Sequence, residues 1–326
     1  MTTGERSDLT GTVVDGRYRI GRRIGIGGTG VVFEAERLSD KHIVVIKTLR
    51  PCFLDHPDLG RRLRREAEVA RNVIHPGIVP VLDEGTLEDG SPYIIMEKVR
   101  GESLSRILLR RTTLRVDETA VIAMRVASIL HAAHLQGYTH RDVKPEHILL
   151  DRDDRGQLMV HLLDFGVCTS PTAPTDERQR EEGRVFGTPT YVSPEQASGQ
   201  PDVDGRADLF ALGIVMYECL VGKPPFRASN VANLLLRIIR EDAPPLALAD
   251  ERLPVGITEV VHRALAREPD ARYSGARAMS RALMSFVGER AAVEMHMATS
   301  LHLDGMAAPN TPTRSATPSA VTEAAA

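Results

Sequence analysis

The stretch HRDVKPEHILL, residues 140–150, sets an imidazole, a guanidinium, a carboxylate, an ammonium and a second imidazole within eight positions. It then turns apolar at Ile148-Leu149-Leu150. Charges this dense beside an apolar run are costly to desolvate, so they are held there for chemistry. The flanking periodicity says what carries them. From Tyr18 to about Val99 the apolar residues alternate in short β-branched runs, with one helical insert. From Gly101 to about Val287 they recur at helical spacing. The change near 99–101 predicts an α+β chain: a small β-rich lobe with one helix, residues 18–99, hinged to a larger, mainly helical lobe, 100–287. Clefts between such lobes are favoured ligand sites. Residues 1–17 read as a loose arm, and 288–326, rich in Ala, Thr and Pro, as a disordered tail.

Composition narrows the classes. The chain has 326 residues, 42% of them hydrophobic, which supports a real core. A net charge of -3 gives no reason to expect nucleic acid or an acidic membrane as partner. Cys52, Cys168 and Cys219 are widely spaced and form neither a disulfide framework nor a zinc pattern, so a reducing cytoplasm is expected. The N-terminus has no signal-like apolar region. Leu209 to Val221 is the most apolar long stretch, but it is too short to span a bilayer and contains Glu218. It reads as a buried helix opened by Asp208.

In RIGIGGTGVVFEAE, Gly25-x-Gly27-x-x-Gly30 is followed by Val31-Val32-Phe33, a strand pattern rather than a helix. The glycines then sit at a hairpin tip, where backbone amides can approach a phosphate without Cβ interference. An ordinary Gly-rich turn remains the alternative. In IVVIKTL, Lys47 interrupts an apolar strand. The next segment, RRLRREAEVARNVIHP, is helical, with Leu63, Ala67, Ala70 and Val73 marking its buried stripe. Glu66 falls on that stripe and Glu68 points away. An inward Glu66 needs a cation, for which Lys47 is the candidate. Arg61, Arg62, Arg64 and Arg65 read as a solvated face.

Asp164 follows an apolar strand and opens a Phe-Gly turn in LLDFGVC. In order, the marks are a glycine hairpin, VVIK, an inward Glu, HRDVKPEH, DFG, GTPTYVSPE, Asp208 before a buried helix, and PDARYS. This series strongly resembles the eukaryotic-like protein kinase family, in particular its bacterial serine/threonine members, over about residues 18–287.

The resemblance implies a two-lobed kinase fold and transfer of the ATP γ-phosphate to protein Ser/Thr hydroxyls, with ATP and Mg2+ as cofactors. Gly25, Gly27 and Gly30 would cover the phosphates, with Ile24, Val32 and Val45 lining the nucleotide site. Lys47 would hold the α and β phosphates and pair with Glu66. Met96 would be the gatekeeper, and Glu97 to Val99 would bond adenine through the backbone. Asp142 would accept the substrate proton, Lys144 would reach the γ-phosphate and Asp164 would bind magnesium. Thr188 would border the substrate site, and Glu195 would pair with Arg272. A dimer through the N-lobe is a further implied partner arrangement. Val45 stands where a small residue is usual, and Ala70 where a bulkier one is.

At the family's second metal-binding position, an asparagine, this chain has His147. Its Nδ1 could occupy nearly the place of the amide oxygen, yet magnesium prefers oxygen and imidazole suits softer metals. An enzyme of reduced activity that prefers Mn2+ is one expectation; a pseudokinase or nucleotide-binding scaffold is the alternative. In the activation segment, Thr169, Ser170, Thr172 and Thr175 lie early, and Glu181-Glu182 stand where relatives carry phosphothreonine. One of these carboxylates is expected to substitute for the phosphate opposite Arg141, unless the acidic loop is merely solvated.

Overall fold

The computed structural model describes residues 9–27, 30–53, 56–153, 156–168 and 188–288. Alternation of apolar residues builds the first sheet. Its strands are β1 (Val13–Val14), β2 (Tyr18–Ile26), β3 (Gly30–Arg37), β4 (Ile43–Leu49), β5 (Val81–Thr86) and β6 (Pro92–Glu97), ordered β1-β2-β3-β4-β6-β5 and antiparallel throughout. One face packs Tyr18, Ile20, Phe33, Val44, Ile46, Tyr93 and Ile95 into a core. Residues of opposite parity along β4, Val45 and Lys47, face the other way. On that side Ile94 packs with Leu63 and Ala67 of helix α1 (Pro57–Asn72). Lys47 is thus placed on the helix side by strand parity alone.

Three expectations need correction here. Residues 13–14 are not part of a loose arm: they pair with β2, and Val14 is buried in the core. Arg65 is not on the solvated face. It lies beside Glu66 on the inward stripe, only 6% exposed, and donates to the Cys168 carbonyl at 2.7 Å. The innermost small-to-medium residue of that turn is Val69 rather than Ala70, which is half-buried.

The second lobe begins with β7 (Glu102–Ser103), α2 (Leu104–Arg111) and α3 (Val116–Leu135). A small sheet ordered β7-β8-β9, with β8 (Ile148–Arg152) and β9 (Leu158–Leu162), interrupts the helical run and frames the segment 140–147. The remaining helices are α4 (Pro194–Ala197), α5 (Arg206–Val221), α6 (Val231–Arg240), α7 (Leu246–Ala249), α8 (Val255–Ala264) and α9 (Ala276–Leu283). As its apolar sequence demands, α5 is buried nearly all round, packed between α3 and α8. It stops at Gly222, whose φ of +77° gives the left-handed cap a β-carbon would resist. The compact unit runs to Gly288. Among the described residues, no helix is long and apolar enough to cross a membrane.

Candidate active site

The loop 140–147 leaves α3 through a turn at Gly137, φ +79°, and is held from beneath by α5. Asp208, fully buried in the first turn of α5, accepts the backbone N–H of His140 at 2.9 Å and of Arg141 at 2.7 Å. It also accepts His134 Nε2 at 2.7 Å. Burial opposes the charge on this carboxylate, but the His134 ring and the backbone amides hold its pKa below the ordinary value. Those bonds offset a strained backbone, since Arg141 sits at φ +65°. From the other side, Gln196 Nε2 donates to the Arg141 carbonyl at 3.0 Å. His140 donates from Nε2 to the Leu163 carbonyl (3.0 Å) and accepts the Asp142 N–H on Nδ1 (3.2 Å). That pattern uses one neutral tautomer.

These restraints leave Asp142 aimed into the cleft at 7% exposure. Its Oδ1 accepts the Thr188 N–H at 2.8 Å, and its Oδ2 accepts Lys144 Nζ at 2.7 Å. Lys144 also donates to Thr188 Oγ1 at 2.6 Å. Asp142, Lys144 and Thr188 therefore form one closed unit.

Across the cleft, Lys47 Nζ lies 2.7 Å from Glu66 Oε2 and 3.2 Å from Asp164 Oδ1. Burial works against the ammonium, yet the two carboxylates raise its pKa and keep it charged. Burial lifts Glu66 to about 7 despite Lys47. Asp164 stays below the carboxylate range: burial opposes its charge, and Lys47 overcomes that. It is left-handed, φ 65° and ψ 64°, a second strained residue at the site.

His147 lies between these groups, and its orientation differs from the sequence reading. Nδ1 is 3.0 Å from the Asp142 main-chain carbonyl, which can only accept, so Nδ1 carries the proton. Nε2, with the lone pair, is 3.6 Å from Asp164 Oδ2. The nitrogen facing Asp164 is therefore Nε2, not Nδ1, while Nδ1–H braces the loop. Burial pushes the ring's pKa down to about 4, against Asp164 and Asp142.

The glycine hairpin pairs Gly25 with Val32, and Gly27 N–H reaches the Gly30 carbonyl at 2.9 Å; residues 28 and 29 lie outside the described set. A β-carbon on Gly30 would meet the Thr48 carbonyl at 3.1 Å, so glycine there answers to packing between strands. Ile24 is 41% exposed on β2, whereas Val45 is buried opposite its register partner Met96, which packs toward α1. Glu97 to Val99 form the connection between the lobes. Two anchors there were missed from sequence: His42 Nε2 meets Glu97 Oε2 at 2.9 Å, and Lys98 Nζ meets Glu34 Oε2 at 3.1 Å. Gln196 was also missed, although SPEQ carries a capping-box signal, which Ser193 and Gln196 form. Arg272 and Glu195 meet deep in the second lobe at 2.7 and 2.8 Å. Thr169, Ser170, Thr172, Thr175, Glu181 and Glu182 lie outside the described residues.

Among the described residues, no group of three or more His, Cys, Asp or Glu is arranged to hold a metal by itself. Asp164, half-exposed and ionised, with His147 Nε2 near it, offers one carboxylate and one nitrogen donor that would suit a divalent cation.

Comparison with known proteins agrees on one family. The description "Protein kinase domain" matches residues 18–284. The chain is 35% identical over 294 residues to serine/threonine-protein kinase pkn3 of Myxococcus xanthus, covering 89% of this chain and 53% of that protein. It is 36% identical over 261 residues to serine/threonine-protein kinase PknH of Mycobacterium bovis, covering 80% and 42%. It thus spans about half or less of the length of these relatives. The crystal structure of a point mutant of the Mycobacterium tuberculosis PknI kinase domain superposes with a TM-score of 0.66 at 28% identity, covering 87% of this chain and all of that one (100%).

Proposed function

The chain belongs to the protein kinase family, and on that premise we propose that it is a serine/threonine kinase that moves the γ-phosphate of ATP to a protein hydroxyl. One observation carries this reading: Lys47, Asp142, Lys144 and Asp164 converge on one cleft, each tied to a partner that fixes its charge and direction. Phosphoryl transfer asks chiefly for alignment and neutralisation of developing charge, and this set supplies both.

Lys47 binds the α and β phosphates and keeps its register through Glu66. Asp142, its Oδ1 held by the Thr188 amide, orients the substrate hydroxyl and accepts its proton on Oδ2. Lys144, shared between Asp142 and Thr188, neutralises charge on the transferred group. Gly25, Gly27 and Gly30 cover the phosphates, and the backbone from Glu97 to Val99 receives adenine between Val45, Met96, Ile24 and Val32. A divalent cation would supply neutralisation of phosphate charge at this site. Asp164 would hold it, with His147 Nε2 beside it.

The nitrogen donor supports a preference for Mn2+ over Mg2+, since manganese accepts imidazole more readily. Bracing of the Asp142 carbonyl by Nδ1–H supports an active loop rather than a scaffold, because one role of the usual asparagine amide is kept. We propose that Glu181 or Glu182 substitutes for an activation-segment phosphate. The three unpaired cysteines support a cytoplasmic location. A dimer through the N-lobe completes the reading, and sedimentation of the purified chain tests it. Transfer of labelled γ-phosphate to a generic basic protein, measured with Mg2+ and then Mn2+ on wild type and His147→Asn, tests the rest. The expected result is a manganese preference in wild type that shrinks in His147→Asn. Equal rates with both metals in both proteins would remove His147 from the cation site.

A further inference from the structure

Helix α1 carries Glu66, yet the residue one turn beyond it is Ala70, half-buried and too small to grip the second lobe. Beside its apolar packing on Ile94, the helix carries polar tethers. Tyr138, only 2% exposed, stands two residues before His140, on the stem of the loop that carries Asp142. Its hydroxyl donates to Glu68 Oε1 at 3.0 Å and accepts from Asn72 Nδ2 at 2.7 Å. Glu68 and Asn72 are four residues apart, so they lie on one helix face and share one hydroxyl. On the neighbouring face, Arg65 donates to the Cys168 carbonyl at 2.7 Å, just past the Asp164 turn.

We propose that Tyr138 is a positioning residue that latches the C-terminal half of α1 to the stem of the catalytic loop, and so keeps Glu66 on Lys47. The inference rests on the kinase reading for its effect on turnover. One oxygen registers the helix bearing Glu66 against the loop bearing Asp142, because both ends of the latch are in the same chain segments as those carboxylates. Burial raises the phenol's pKa above its ordinary value, so the hydroxyl keeps the proton it donates to Glu68. Arg65 at the Cys168 carbonyl and Tyr138 at Glu68 and Asn72 give α1 two separate polar tethers.

The test is Tyr138→Phe, which removes the oxygen and keeps the ring. Tyr18→Phe is the control: that buried hydroxyl donates to Asp83 Oδ2 at 3.2 Å, in the first sheet and away from the cleft. Amide hydrogen exchange across residues 62–72 and steady-state kinetics are measured on both variants. In Tyr138→Phe, exchange across 62–72 rises roughly tenfold and kcat falls by a similar factor, the scale of two lost hydrogen bonds. The KM for the protein substrate holds. In a Glu66→Gln background, Tyr138→Phe lowers kcat no further, because its effect passes through Glu66. Tyr18→Phe matches wild type in both measurements. Exchange is read without turnover, so a wild type that transfers no phosphate counts against the kinase reading alone, and exchange still decides the latch. Unchanged exchange across 62–72, unaltered kcat in an active Tyr138→Phe, or an equal loss in Tyr18→Phe overturns the proposal.

Discussion

Arg272 meets Glu195 through two parallel hydrogen bonds of 2.7 and 2.8 Å, whereas Lys47 meets Glu66 through one, at 2.7 Å. Both pairs are buried ion pairs set in sequence far from their partners. The guanidinium has its remaining donors on the carbonyls of Ala266, Arg206 and Arg267, and its face lies on Phe210. No donor is left over, and it is 2% exposed. The ammonium is shared with Asp164 and opens onto the cleft. A planar, fully satisfied fork makes a fixed joint, while a compact charge with exchangeable partners can hand itself to a phosphate. The difference teaches that burial and charge do not separate structural pairs from functional ones; the number of donors already spent does.

The comparison breaks first at the fixed joint. Arg272→Met leaves Glu195 buried without a cation and is expected to cost about 3–5 kcal/mol of stability. Urea unfolding of the nucleotide-free protein measures it. Adding Glu195→Met should recover part of that loss, because removing both charges is cheaper than removing one. A loss under about 1 kcal/mol for Arg272→Met would mean the joint carries no more than an exposed pair.

At the cleft, Lys47→Met should lower phosphoryl transfer by roughly 10²–10³-fold, the scale for losing one organised charge at a transition state. Stability should change by only about 1 kcal/mol, since Glu66, already lifted to about 7, takes up a proton when its partner leaves. Wild-type transfer by a folded Lys47→Met protein would erase the distinction between the two pairs.

The smallest effect sharpens the picture of the cleft, where one buried group stays neutral. His147 has its pKa pushed from 6.5 to about 4 by burial. Between these values the unfolded chain holds more protons than the folded one, so stability rises with pH across the window and is lost as pH falls through it. The contribution is on the order of 3 kcal/mol in the metal-free protein. His147→Asn should flatten the stability curve between pH 6.5 and 4. Activity of the two proteins should share one pH profile above the window, since the ring is already neutral there. Parallel stability curves would contradict the buried neutral ring.

Much of this was legible in the sequence because it depends on spacing. The inward turn of Glu66 follows from helix period, and the facing of Lys47 follows from strand parity. The two-lobed division follows from the change of period near 99–101. What stayed hidden depends on rotation and on distant partners. Nothing in HRDVKPEH says which imidazole nitrogen of His147 turns to the Asp142 carbonyl. Arg65 looked solvated because its partner, the Cys168 carbonyl, is a backbone atom over a hundred residues away, and backbone acceptors leave no mark in a sequence. Nothing in the sequence around Tyr138 marks its hydroxyl as a partner of Glu68 and Asn72 on α1. Val13–Val14 is a two-residue strand, too short for alternation to register.

Phosphate transfer by the convergent charges of the cleft is measured by incubating the purified chain with γ-labelled ATP and a divalent cation, with a basic protein as acceptor, beside Asp142→Asn. Label on serine or threonine of the acceptor is expected with wild type, and a loss of at least about a hundredfold in Asp142→Asn, where the base that accepts the hydroxyl proton is gone. Label at equal rates from both proteins, or from neither with either Mg2+ or Mn2+, would contradict transfer by this cleft.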